Sequence, residues 1–210
     1  MTDTPTITPR ENGPLLVKNL QTLVLPDGAA AETKPVMALC RCGQSQNKPF
    51  CDGAHNDAGF DGSPPDTVPS GREYAYEGNG VTVTYNKNLC SHAAECGRRL
   101  PAVFDAKQKP WVQPENGSAQ QIAEVVAACP SGALKMSADG GPTQHLVGDG
   151  ITITVEANGP YRVENLPLDA DGWVEGASRG KYVLCRCGQS KNKPFCDGSH
   201  GAAGWTPDAT

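Results

Sequence analysis

Nine cysteines and four histidines carry the reactive chemistry of this 210-residue chain, and eight of those side chains fall into two near-identical frames. The first reads Cys40-Arg41-Cys42-Gly-Gln-Ser-Gln-Asn-Lys-Pro-Phe-Cys51-Asp52-Gly53-Ala54-His55, and the second Cys185-Arg186-Cys187-Gly-Gln-Ser-Lys-Asn-Lys-Pro-Phe-Cys196-Asp197-Gly198-Ser199-His200. Each frame offers three thiolates and one imidazole, a set suited to a transition metal or an iron-sulfur cluster and with no evident use in packing. Alternate residues of an extended chain point the same way, so Cys40 and Cys42 present both sulfurs to one side while Arg41 turns away. Cys51 and His55 are four apart. With Asp52 placed to cap a helical turn and Pro49 just ahead of it, they share a helix face. Each pair can grip one ion, and two pairs suit a binuclear [2Fe-2S] cluster with two thiolates on one iron and a thiolate plus an imidazole on the other. A structural zinc site with three cysteines and one histidine would use the same four residues, although zinc sites usually carry C-x2-4-C pairs in place of C-x-C.

The three remaining cysteines are Cys90, Cys96 and Cys129, arranged as Cys90-Ser-His92-Ala93-Ala-Glu-Cys96 and then Cys129-Pro130. Three buried structural thiols are the plain alternative to a metal centre here, since free cysteine is among the most buried residue types.

Both outer frames resemble the CDGSH iron-sulfur domain, the mitoNEET-like family, with Ser45 and Ser190 at its hydroxyl position. The resemblance implies a [2Fe-2S] cluster on Cys40, Cys42, Cys51 and His55, and another on Cys185, Cys187, Cys196 and His200, with the histidine-bound iron nearest solvent. The middle segment resembles a single-cluster bacterial ferredoxin and a divergent mono-cluster relative of it, over most of residues 72 to 137, with Ala93 where the second cysteine of C-x2-C-x2-C belongs. That likeness implies a [3Fe-4S] cluster on Cys90, Cys96 and Cys129, because a cubane corner iron without its own ligand is labile. His92, one residue before the vacant position, would complete a [4Fe-4S] cluster if it supplied the fourth ligand.

The elements that must hold these residues follow from a repeat longer than the motif. Asn12-Gly13-Pro14 recurs as Asn158-Gly159-Pro160 at an offset of 146, the cysteines recur at 145, and Ala58-Gly59-Phe60 returns as Ala203-Gly204-Trp205. Units that small rarely bury a self-sufficient core, so they should pack on each other. In the family two such domains join as an intertwined β-rich dimer, which implies a pseudo-dimer within this one chain. Dimeric relatives also bring a lysine from the partner toward the histidine ligand; Leu15 and Tyr161 stand there in this chain, with Arg162 the nearest basic residue. Between the repeats, Ser63 to Gly71 is a Pro-rich linker. Strands around Gly78-Asn79-Gly80 predict a hairpin. Ser118 and Gln121 form a capping box, followed by Ile122, Val125, Val126 and Cys129 on one helix face that ends at Pro130.

The expected class is therefore α+β and β-rich: two CDGSH units packed as an intramolecular pseudo-dimer, with a ferredoxin-like domain between them. The expected boundaries are a 1–11 N-terminal tail, a 12–62 CDGSH domain, a 63–71 linker, a 72–146 mono-cluster domain and a 147–210 CDGSH domain. Arg98 and Arg99 read as a solvated helix end, His145 as a surface residue, and Trp111 and Trp173 as packing residues.

Composition narrows the function classes. With 38% hydrophobic residues, 24 glycines and 18 prolines, the chain is turn-rich and supports small units better than one large core. A net charge of −5 without a basic block argues against nucleic acid. The N-terminus lacks a signal-peptide pattern and no run has bilayer-spanning length, so no membrane is expected. An odd cysteine count in cluster-like spacing points to a reducing cytoplasm, and the composition reads as bacterial. No nucleophile motif and no phosphate-cradling glycine loop is present, so no enzyme activity is expected.

One-electron transfer to a redox partner protein is the leading expectation, and the internal pseudo-dimer is compatible with a monomeric chain. Replacing one thiolate by neutral imidazole favours the reduced state, toward the roughly −150 to +300 mV of two-histidine centres and away from the about −400 mV of all-cysteine ones. The alternatives are a cluster carrier or redox and pH sensor that releases [2Fe-2S] to an apo-acceptor protein, and a zinc-stapled interaction module.

Overall fold

The computed structural model describes residues 4–207. The first unit opens with strand β1 (Thr6–Pro9), followed by β2 (Leu15–Lys18), β3 (Thr22–Val24), β4 (Val36–Leu39) and a single helical turn, α1 (Ala54–Asp57). β1, β2 and β4 form an antiparallel sheet in that order. The expected N-terminal tail is thus in part a strand. Thr6–Pro9 alternates with Ile7 inward, and Ile7 is fully buried, so the segment gains both a ladder and a core contact.

The middle domain is built from β5 (Glu73–Gly78), β6 (Val81–Asn86), α2 (Glu95–Arg99), α3 (Ala119–Ala128) and β7 (Leu134–Ala138). Asn79 and Gly80, both at positive φ, make the tight turn between β5 and β6. α3 starts at the expected capping box: Ser118 Oγ accepts from the Gln121 N–H, and Gln121 Oε1 accepts from the Ser118 N–H. Its inward face, Ile122, Val125 and Val126, joins Val81, Val83, Phe104 and Leu134 in a core of the middle domain's own. Residues 63–71, between the first unit and β5, have no regular structure.

The second unit comprises β8 (Thr152–Val155), β9 (Tyr161–Glu164), β10 (Lys181–Leu184) and the helical turn α4 (Ser199–Ala202). Its sheet runs β10-β9-β8-β3, so a strand of the first unit completes the sheet of the second by parallel pairing of Thr22–Val24 with Thr152–Thr154. The exchange is reciprocal. Leu168 of the second unit bridges to Ile7, with the Ile7 N–H donating to Pro167 O at 2.9 Å and the Asp169 N–H to Ile7 O at 2.8 Å. One apolar core follows from this exchange, taking Leu15, Val17, Leu23 and Leu39 from the first unit and Ile153, Tyr161, Val163 and Leu184 from the second. Each fully buried aliphatic side chain is worth about 1.5–3 kcal/mol, and neither unit could collect enough of them alone. No helix among the described residues is long and apolar enough to cross a membrane.

Candidate metal centres

β4 and β10 deliver the C-x-C pairs. Leu39 and Leu184, the last residues of these strands, are fully buried, so the chain enters each cysteine loop from the core. Beyond the strand the backbone curls through a left-handed glycine, Gly43 at φ +79° and Gly188 at φ +80°. The Sγ atoms of Cys40 and Cys42 end 3.6 Å apart and those of Cys185 and Cys187 3.8 Å apart. Two thiolates ~2.3 Å from one tetrahedral ion stand about 3.8 Å apart, so both pairs are set for a shared ion.

The second pair of each frame does not lie on one helix face as expected, because the helical turns begin only at Ala54 and Ser199. Cys51 and Cys196 precede them. A left-handed glycine, Gly53 or Gly198, lets the chain swing from cysteine to histidine. Cys51 Sγ still lies 3.4 Å from His55 Nδ1, and Cys196 Sγ 3.5 Å from His200 Nδ1, where a thiolate and an imidazole on one tetrahedral ion stand about 3.6 Å apart. Asp52 and Asp197 hold the turns. Asp52 Oδ1 accepts from the Ala54 N–H and Oδ2 from the Gln46 N–H, and Asp197 does the same for Ser199 and Lys191.

The motif arginines and serines are structural ties. Arg41 Nε donates to Gly13 O at 2.6 Å, Arg186 Nε to Gly159 O at 2.9 Å, and both guanidiniums are buried. Ser45 Oγ donates to Phe50 O at 2.7 Å and Ser190 Oγ to Phe195 O at 2.6 Å. At the position of the family's lysine, the wholly buried Tyr161 reaches from the second unit into the first. Its hydroxyl lies 2.7 Å from Cys40 O and 3.0 Å from Pro49 O. Leu15 offers no such group in the other direction. Arg162 pairs with Glu164.

In the middle domain, Cys90, Cys96 and Cys129 line one cavity together with Ala93, Tyr85 and Trp111. Cys90 follows a single 3-10 turn (Lys87–Leu89), Cys96 lies within α2, and the buried Cys129 caps the C-terminus of α3. Ala93, at the position where a fourth thiolate would stand, is on the wall. His92 is on an outer, open groove that also touches Cys90 and Cys96, and its ring lies against Gly198 of the second unit. Backbone N–H groups point at sulfurs in all three places: Gln44 to Cys42 and Gln189 to Cys187 at 3.4 Å, Gly198 to Cys196 at 3.5 Å, and His92 to Cys90 at 3.4 Å.

The thiols are poised for proton release on metal binding. In each C-x-C pair the two sulfurs share a hydrogen bond, which draws Cys40 and Cys185 down to about 6 and pushes Cys42 and Cys187 up. Burial pushes Cys196 up to about 12 and Cys96 to about 11, and raises Cys90. Binding of a cation must displace those protons, which makes loading pH-dependent. Burial also pulls the His200 imidazole below its ordinary value.

Outside the motifs, His145 and Lys181 owe their surroundings to the tertiary structure. His145 is half-buried and not a surface residue; its Nδ1 has no hydrogen-bond partner, and burial lowers its pKa. Arg98 and Arg99 are exposed as expected but both pair with Glu95. Lys181 was not singled out by the motif. It is fully buried, and its Nζ reaches Val126 O at 2.9 Å, Ala127 O at 3.3 Å, His145 O at 2.7 Å and Leu146 O at 3.2 Å. Burial draws it down to about 8, against a favourable electrostatic contribution from the nearby Cys129. The one sequence signal was a lysine at a position where the first repeat has Val36. Trp111 and Trp173 do pack, against Tyr76, Tyr85 and Phe104 and against Tyr182 and Phe195 respectively.

Known families match at these places. The iron-binding zinc finger of CDGSH type matches residues 12–56 and 158–201, and the divergent 4Fe-4S mono-cluster matches residues 76–139. The chain is 37% identical over 60 residues to the uncharacterized protein YjdI of Escherichia coli strain K12, a match covering 29% of this chain and 79% of that protein. YjdI of Escherichia coli O157:H7 matches to the same extent. With two sets of three cysteines and one histidine held in paired geometry on either side of a three-cysteine cavity, the chain belongs to the CDGSH iron-binding family, carrying two such domains around a divergent 4Fe-4S mono-cluster domain.

Proposed function

We propose that the chain is an electron-transfer protein whose outer frames each hold a [2Fe-2S] cluster and whose middle cavity holds a [3Fe-4S] cluster. The carrying observation is how the donors group. Each outer frame divides into two pairs of 3.4 to 3.8 Å, and among the described residues no three His, Cys, Asp or Glu side chains converge on a single point. A mononuclear zinc centre needs four donors around one ion; a binuclear cluster needs two on each of two. In the middle cavity, Ala93 at the fourth position supports the three-iron form.

The clusters supply one-electron chemistry when bound. The polypeptide sets how easily they accept the electron, through the neutral imidazoles of His55 and His200 and the N–H groups aimed at Cys42, Cys90, Cys187 and Cys196, all of which offset negative charge. No catalytic role is proposed for any residue, and the partner is a one-electron redox protein.

Iron and acid-labile sulfide analysis with electron paramagnetic resonance on anaerobically purified protein tests the proposal. About seven irons per chain with a signal in the oxidised state identify the three-iron centre, and about eight irons with that signal absent assign the middle site to [4Fe-4S], because the reduced [2Fe-2S] centres are paramagnetic in either case. Protein that is colourless and holds only zinc removes the redox function. Cluster transfer to an apo-ferredoxin faster than reduction by a physiological donor would replace electron transfer with the carrier role.

A further inference from the structure

The two CDGSH frames are nearly identical in sequence and unlike in surroundings. Gly53 and Gly198 occupy the same motif position with the same left-handed backbone, φ +95° and +86°. A Cβ on Gly53 would meet nothing within 4 Å, whereas one on Gly198 would stand 2.4 Å from His92 Cδ2 and 3.2 Å from Ser91 O. The middle domain therefore lies on the turn between Cys196 and His200, and the equivalent turn of the first frame is open. Asp52 is exposed accordingly, Asp197 is not, and only 5% of Cys196 is accessible.

The cover is anchored by residues found in one repeat alone. Lys181 binds the end of α3 just before Cys129, and its counterpart Val36 is 54% exposed. Asn86 Nδ2 donates to Glu175 O at 3.3 Å. A narrow crevice lies between the domains, with Ser131 on one wall and Cys196 and Asn192 on the other. Asn192 is buried there with its Oδ1 unpartnered.

On its far side the second frame abuts the first. A Cβ on Gly43 would lie 2.6 Å from Cys187 O, and one on Gly188 2.4 Å from Cys42 O, so the two C-x-C loops touch backbone to backbone. The order of contact is middle cavity, second frame, first frame.

We infer that the two CDGSH sites have different jobs: the second is an internal station between the middle centre and the first site, and the first is the face that exchanges with partners. This inference rests on the proposal that the donors hold clusters. Among the donors the difference falls on one position, Cys51 being half-buried and Cys196 buried. Iron at the second frame therefore needs a local opening of the covering contacts that iron at the first does not.

The test uses the oxidised full-length protein at one fixed pH with excess EDTA, followed by visible circular dichroism after its iron and sulfide have been counted. One [2Fe-2S] signal should decay about tenfold faster than the other, the order expected from one local opening of the covering contacts. His55→Cys should change the fast phase alone and His200→Cys the slow phase alone. Reduced wild-type protein, which needs no variant, should show a paramagnetic signal split by coupling between the middle centre and one [2Fe-2S] centre. Equal decay rates, a fast phase altered by His200→Cys, or an unsplit signal overturns the inference while leaving the clusters in place. Protein without sulfide overturns the cluster proposal instead.

Discussion

Removing one oxygen atom, in Tyr161→Phe, tests whether the two repeats form a single unit in which the second supports the first. The aromatic ring stays, filling the same fully buried space. What goes is a hydroxyl 2.7 Å from Cys40 O and 3.0 Å from Pro49 O. Pro49 O keeps the Cys40 N–H at 2.8 Å, so the Cys40 carbonyl is the group that loses its partner. A buried acceptor left unsatisfied costs about 1–3 kcal/mol. For a chain of this size that is a fall of about 2–12 °C in melting temperature. The cost falls on the cysteine loop of the first frame, so EDTA should strip the first site about fivefold faster or more, following the Boltzmann weight of about 1 kcal/mol. Tyr182→Phe is the matched control. It deletes a hydroxyl that donates to Leu166 O at 2.6 Å within the second unit, so it should lower stability without singling out the first site. If Tyr161→Phe left the first site's loss rate unchanged, or accelerated the second site more, cross-unit support would be refuted.

Ala93→Cys should add a fourth thiolate to the middle cavity and convert the proposed three-iron centre to a four-iron one, read as one extra iron per chain and loss of the oxidised-state paramagnetic signal. Gly188→Ala should prevent the cysteine loops from meeting: its Cβ would stand 2.4 Å from Cys42 O at a left-handed φ, and the expected loss of more than about 2 kcal/mol should appear in chemical denaturation and in lowered iron content of both outer sites. Glu156 is partly buried, and burial raises its carboxyl above the usual range against the pull of Arg162. A carboxyl raised in the folded state destabilises it wherever the unfolded chain is ionised, so Glu156→Gln should raise the denaturation midpoint at neutral pH. That gain should vanish below about pH 4, where the carboxyl is protonated in both states.

Much of the site was legible because its signal is local. The spacing of Cys40, Cys42, Cys51 and His55, met again 145 residues later, restricts how the donors can group whatever surrounds them. The capping box at Ser118 and the turn at Asn79-Gly80 are likewise short-range and formed where expected. Expectations that depended on longer-range structure fared differently. Thr6–Pro9 has little apolar pattern, and only the neighbouring β2 and the bridge to Leu168 make it a strand. His145 is polar and follows a turn, yet the docking of the second unit half-buries it. The helix-face reading of Cys51 and His55 failed because Gly53 breaks the helical path while Asp52 preserves the meeting of the donors.

By itself, the sequence determined which atoms can bind iron, that they come in two copies around a third set, and that each copy is too small to stand alone. Those properties depend on residue type, spacing and chain length, which need no partner to define them. Only the tertiary structure decided that β3 crosses to the other sheet, that Tyr161 serves the opposite frame, and that Lys181 and His92 place the middle domain over one copy and not the other. Contacts between residues far apart along the chain depend on how whole surfaces fit together. Two frames with almost the same letters therefore acquired different environments.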